Sequence, residues 1–180
     1  MPRISLRPAT AADVEAVTDI HTAARTAYYL AGGRSDEELT SPTARAERRA
    51  AWRRAIERED RTVLCAVDAG ADEVVGVLSM GLPHDDDIDP ATTGQLHQIH
   101  VRPDSWGKGI GALLHEGFVG LLRERALTTG VLEAWGRNAR ARSFYAHHGR
   151  RPDGHTRPGP GEADYIRLRL ELNRASKVTG

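Results

Sequence analysis

The chain holds a single cysteine among its 180 residues, which excludes an internal disulfide. Cys65 lies in the apolar run Val63 to Val67 and reads as a small buried hydrophobe, not a nucleophile. Without a disulfide framework the expected home is a reducing cytosol, hence a cytoplasmic location. Lysine is nearly missing, at 108 and 177 only, and the arginine that replaces it is balanced by acid. With 25 basic and 25 acidic residues the net charge is zero, so no global field recruits nucleic acid or an anionic membrane. No run approaches the roughly 20 apolar residues that span a bilayer, and Met1 to Arg7 is too short and polar to read as a signal peptide. Repeats and low-complexity segments are absent as well. What remains is a chain of one-domain length, able to bury about 70% of its unfolded surface.

Residues Ile4 to Arg7 alternate like a short strand, and Thr10 is placed to cap a helix whose apolar positions Val14, Val17, Ile20 and Ala24 recur at helical spacing. Ser41-Pro42 opens a second helix running to about Arg58. Between them Gly32-Gly33-Arg34-Ser35 marks a loop suited to be a substrate lid. Thr62 to Val67 and Val74 to Met80 form a hairpin, with a bulge expected at Gly76. Gly94 to Val101 is the next strand. A helix from Gly109 to about Arg125 follows, with Leu113, Leu114, Phe118, Leu121 and Leu122 as its core stripe. Val131 to Trp135 is a strand, Asn138 to His148 a helix, and Tyr165 to Leu172 a final strand whose exposed edge would pair with a second copy in a homodimer. This order predicts an α/β fold with a mixed sheet in a single domain, residues 1–175, followed by a disordered tail at 176–180.

The most informative stretch is Val101 to Leu114, where a strand ends in a turn of three alternating glycines and a helix begins at once. Gly107, Gly109 and Gly111 free the backbone to expose its N–H groups at the positive end of that helix, a cradle for phosphate oxygens. The spacing excludes a dinucleotide fingerprint, and the absence of Ser or Thr after Lys108 excludes an NTPase phosphate loop. Trp106 to Gly111, preceded by Val101-x-Pro103, resembles the pyrophosphate loop of the GCN5-related N-acetyltransferases, Gln/Arg-x-x-Gly-x-Gly/Ala, with Trp106 departing at the first position. Asn138 to Tyr145 resembles that family's Asn-x-x-Ala-x-x-Phe-Tyr. The family's helix end in Gly-Phe is here Gly149-Arg150.

The resemblance implies the acetyltransferase fold, a central mixed, mostly antiparallel twisted sheet flanked by helices, with acetyl-CoA as cofactor. Its cofactor residues would be Ile99, His100, Val101, Trp106, Gly107, Lys108, Gly109, Ile110, Gly111, Ala112, Asn138 and Tyr145. It implies that Tyr145 protonates the departing thiolate, which a phenol of ordinary pKa about 10 can do, and that Asn138 both caps its helix and meets the pantetheine arm. Backbone N–H groups near Ile99 to Val101 would meet the developing oxyanion. Direct attack on a thioester needs a neutral amine, so a base is required. The family's common glutamate, six residues before Val101, is Gln95 here, which cannot serve. His97, two residues on and on the same strand face, is the expected base, directly or through a water, while His100 falls on the opposite face.

On the acceptor side Tyr28, Tyr29, Trp52 and Gln95 are the candidate substrate residues. The run His84 to Asp89 reads as a solvated acidic turn, and no metal site is assigned. The expected acceptor is a small-molecule amine or a protein N-terminus. The alternative is a catalytically silent acyl-CoA-binding module, to which Gln95 and Trp106 lend support.

Overall fold

Strands β1 (Ile4–Pro8), β2 (Arg61–Asp68), β3 (Glu73–Gly81), β4 (Thr93–Val101), β5 (Thr129–Trp135), β6 (Arg151–Arg157) and β7 (Tyr165–Glu171) join in one sheet of order β1-β2-β3-β4-β5-β7-β6. The structure is a computed structural model and describes residues 3–34 and 40–172, so the expected tail lies outside the described residues. Every pairing is antiparallel except β4 with β5, giving the mixed sheet expected from the sequence.

Of the two expected caps, Ser41 acts where the sequence placed it. Ser41 Oγ accepts from Ala44 N (3.1 Å) and Pro42 opens α2 (Pro42–Glu57). Thr10 acts one step earlier than expected. Its backbone N–H donates to Asp13 Oδ2 (2.7 Å) across a 3₁₀ turn, Arg7 forks onto the same carboxylate, and α1 (Val14–Ala31) begins after it. Val14, Val17, Ile20 and Ala24 are all buried, as their spacing requires.

Alternation along β3 divides the core in two. Leu78 and Met80 face α3 (Ile110–Glu124) with Leu96, Leu114, Phe118 and Leu122, while Val77 faces α1 and α2 with Val17, Ile20, Trp52, Val63 and Cys65. Each such side chain contributes about 1.5–3 kcal/mol on full burial. Glycine 76 makes room for α3, since a Cβ there would lie 2.9 Å from Leu114 Cδ1; the bulge falls one residue before it, at Val75.

Two expectations need correction. β6 has no apolar alternation and went unpredicted; it forms because β7 offers it a partner. β7 is therefore interior, between β5 and β6, and cannot pair with a second copy as expected. The C-terminal edge is β6, blunted by Pro152 and by its charged residues. Among the described residues no helix is long and apolar enough to cross a membrane.

Candidate active site

After β4 a short turn at Pro103–Ser105 delivers the chain to Gly107 (φ 78°) and Gly109 (φ 80°), both in the left-handed region that disfavours a Cβ. A Cβ built at either glycine meets nothing within 4 Å, so it is the conformation that calls for glycine, and the space above the turn stays open. Gly109 is the N-cap of α3 and supplies no side-chain cap, and the first turn carries no acidic residue. The first N–H groups of the helix are thus left without an intrahelical acceptor and carry the positive dipole end. Gly109→Ala, which keeps the space but forces the dihedral, is expected to cost about 1–2 kcal/mol and lower the thermal midpoint by about 2–8 °C in calorimetry. An unchanged midpoint would mean that the turn relaxes to negative φ.

Trp106, the departure from the family pattern, anchors this turn. Its indole N–H donates to Val101 O (2.8 Å), and the Arg140 guanidinium sits 4.5 Å above the ring. Arg140 was not singled out from the sequence; it lies inside the Asn138 to Tyr145 motif, but only the fold brings it to Trp106.

β4 and β5 pair only from Thr93↔Thr129 to Leu96↔Leu132, although both strands continue, to Val101 and Trp135. Where they part, a cleft of about 860 Å³ opens. It brings together Ile99, His100, Val101, Trp106, Gly107, Gly109, Ile110, Gly111, Ala112, Asn138 and Tyr145 with Tyr28, Gln95 and His97. Lys108 is not in its lining, whereas Ser105, Arg140, Phe144, His148, Arg25 and Glu133 are, and none of these six was expected. Asn138 caps α4 (Ala139–His147), its Oδ1 accepting from Ala141 N (3.1 Å). Tyr145, on the same helix, is 5% exposed; burial pushes its phenol up to about 12 against the opposing pull of Arg150.

A second bulge sets the other wall. Ser79 pairs with Gln98 and Met80 with Leu96, so His97 is the extra residue of β4. The shift turns His100, expected on the opposite face, onto the face of Gln95 and Gln98: it pairs with Val77, and its ring stacks on His21 of α1 at 4.1 Å. His97 Nδ1 lies 2.9 Å from Nε2 of the exposed His84, while its own Nε2 is buried without a partner. Burial, aided by Arg61 and His84, lowers its pKa to about 3, so the imidazole is neutral at neutral pH. Gln95 Oε1 accepts from His84 N (2.8 Å), which places the His84 segment against β4.

Tyr29 and Trp52 stand away from the cleft. Tyr29 is 1% exposed against Trp135, with its hydroxyl 2.6 Å from that of Tyr165. Trp52 is core, donating to His21 Nδ1 (3.1 Å) beside a separate cavity of about 170 Å³. The acidic run is solvated as expected, with Asp86, Asp87 and Asp89 exposed, but it is also anchored: Asp85 and Asp87 join Asp153 around the buried Arg167 at 2.6–2.9 Å. That cation holds the Asp87 carboxyl below the usual range. Among the described residues no group of three or more His, Cys, Asp or Glu side chains is arranged to hold a metal ion.

Comparison with known proteins points one way. The model of the acetyltransferase (GNAT) family matches residues 17–149. Over 65 residues the chain is 35% identical to mycothiol acetyltransferase of Beutenbergia cavernae; the match spans 36% of this chain and only 22% of that curated relative. Among solved structures it is similar to PaiA N-acetyltransferase of Thermoplasma acidophilum in complex with coenzyme A (TM-score 0.76, 18% identity, 94% of this chain and 99% of that one). It is also similar to the ribosomal-protein-S18-alanine N-acetyltransferase of Escherichia coli (TM-score 0.70, 18% identity, 99% of each chain). At these identities the two likenesses establish the fold.

Proposed function

Since the chain belongs to the acetyltransferase (GNAT) family, we propose that it moves an acetyl group from acetyl-CoA to an amine, with Tyr145 as acid and His97 as the first proton acceptor. The observation that carries this reading is the convergence, in one cleft, of the uncapped α3 N-terminus, the parted ends of β4 and β5, and the Tyr145 phenol.

The residues fit the cofactor. The open glycine turn and the free N–H groups of α3 suit a diphosphate, and Arg140 over Trp106 adds the positive charge that the family's first loop position would otherwise bring. Asn138, whose Oδ1 is committed to the helix, keeps its amide N–H₂ for the cofactor's arm. When bound, acetyl-CoA supplies an activated acyl carbon and a thiol leaving group. Tyr145 stays protonated across the physiological range and so holds a proton at its hydroxyl for delivery within the cleft. Where β5 no longer accompanies β4, backbone N–H groups of the stretch Ile99 to Val101 that face the gap are donors for a developing oxyanion.

The acceptor's proton has a path out. A neutral imidazole with its Nδ1 against exposed His84 passes a proton on without retaining it: Nε2, once reached by the acceptor or a water, takes one while Nδ1 gives one to His84 Nε2. This division suits His97, whose depressed pKa makes it a poor proton reservoir.

The test is thiol release from acetyl-CoA over a panel of small amines and N-terminal peptides, with CoA binding followed calorimetrically on the same sample. Turnover on one amine class is the expected result. Tight CoA binding without release over the whole panel would replace the enzyme by a silent acyl-CoA-binding module, and absence of CoA binding would remove both readings.

A further inference from the structure

Arg25, on the inner side of α1, projects into the end of the cleft that also holds Tyr28 and Tyr165. Three neighbouring cations are engaged: Arg157 grips both Glu133 oxygens at 2.8 Å, Arg167 is ringed by three aspartates, and Arg48 donates to Thr22 Oγ1 at 2.6 Å. Arg25 differs from them. Among the described residues it makes no ion pair and no hydrogen bond; its Nε is buried without a partner, and its guanidinium lies 5.1 Å from the Tyr29 ring centroid. A guanidinium is a rigid fork of five donors, and leaving one of them buried and unsatisfied is unfavourable unless an acceptor arrives. Its charge is felt across this end of the cleft, where it helps hold His21 and His100 neutral and repels Arg48. A planar anion with two oxygens in one plane answers all of these features at once.

Resting on the acetyltransferase reading, we infer that the acceptor is an amine that also carries a carboxylate, an amino acid or a close analogue, and that Arg25 receives this carboxylate. The cleft supplies the complementary element for the other end of such a molecule. Asp85, 30% exposed at its side chain, lines the same cleft, and the ring of three carboxylates around one arginine leaves an excess of negative charge there for an entering ammonium. Tyr28 and Tyr165 line the same cleft and supply apolar ring surface for the body of such a molecule.

The experiment compares matched ligands that differ only at this group. The binding of free amino acids, their N-acetyl derivatives and the corresponding amides is measured by calorimetry, with and without CoA, on the wild type, Arg25→Gln, Arg25→Lys and the remote surface control Arg45→Gln. The wild type is expected to bind at least one acid 10-fold or more tightly than its amide. Arg25→Gln erases that ratio with CoA affinity unchanged, Arg25→Lys retains part of it, and Arg45→Gln matches the wild type. Equal binding of acid and amide, absence of binding by either, an acid preference that survives Arg25→Gln, or an Arg25→Gln defect confined to CoA would each overturn the inference. Failure of the acetyltransferase reading looks different: CoA itself does not bind, or no amine of any class releases thiol from acetyl-CoA on the same samples.

Discussion

Replacing Tyr145 by phenylalanine lowers kcat for acetyl transfer by about 10²-fold or more, the usual worth of a positioned acid, while CoA affinity stays within about twofold. The asymmetry follows from where the hydroxyl sits. The ring of Tyr145 belongs to the main core cluster with Leu114, Phe118 and Leu168, and phenylalanine keeps that packing. Only the proton at the cleft is lost. Since burial holds the phenol at about 12, the wild-type rate shows no descending limb below pH 9, and the variant keeps the same profile at a lower level. Rapid-quench measurement of the acetyl step separates chemistry from product release. A variant that loses CoA affinity and leaves the acetyl step untouched would make Tyr145 a packing residue and nothing more.

The second large effect is acid instability. His21, His100 and His115 are each less than 10% exposed, and burial lowers all three, His100 and His115 to about 3. The geometry agrees with neutral rings. His21 Nδ1 accepts from the Trp52 indole, which can only donate, and His115 Nε2 accepts from Arg150 Nε at 2.9 Å, so a proton there would set two cations face to face. His21 and His100 stack on each other, which penalises charging both. The unfolded chain binds protons at about pH 6.5 and the folded chain only far below it, so stability is complete above pH 6.5 and falls as the pH drops through the window toward 3. These three groups alone give a slope of about 4 kcal/mol per pH unit, to which His97, likewise held at about 3 by burial, adds. Between pH 6.5 and pH 4 that slope removes about 10 kcal/mol, comparable with a whole stability of about 5–15 kcal/mol, so the acid midpoint is expected near pH 4. Urea titrations from pH 7 to pH 4.5 measure the slope; uptake of fewer than one proton on unfolding at pH 5 would show that these rings are already charged in the fold.

How much of this was legible in the residues depends on the range of the forces involved. The helices α1 and α2 were, because caps and apolar spacing act within a few residues: Ser41, Pro42 and the Val14–Val17–Ile20–Ala24 stripe act in the structure as they read in the sequence. The glycine turn was legible for the same reason, its left-handed dihedrals being written in Gly107 and Gly109. β6 was not. Its sequence, with Pro152 and Gly154, has no strand preference of its own and is recruited by β7. Nor was the face of His100, since the extra residue at His97 breaks the period of two without any local mark. The contacts that were not legible share one cause. Tyr29 meets Tyr165, Trp52 meets His21, and Asp85 meets Arg167, all across distant parts of the chain, where periodicity carries no information.

The lone cysteine has a practical side. Cys65 is wholly covered in β2, and burial lifts its thiol to about 12, so almost none of it is thiolate at neutral pH. A colorimetric thiol reagent added during turnover therefore counts product sulfur against a dark protein background. The same reagent becomes a clock once the assay is left running: Cys65 is labelled only when the strand around it opens, and the slow signal reads how often this chain visits its unfolded states.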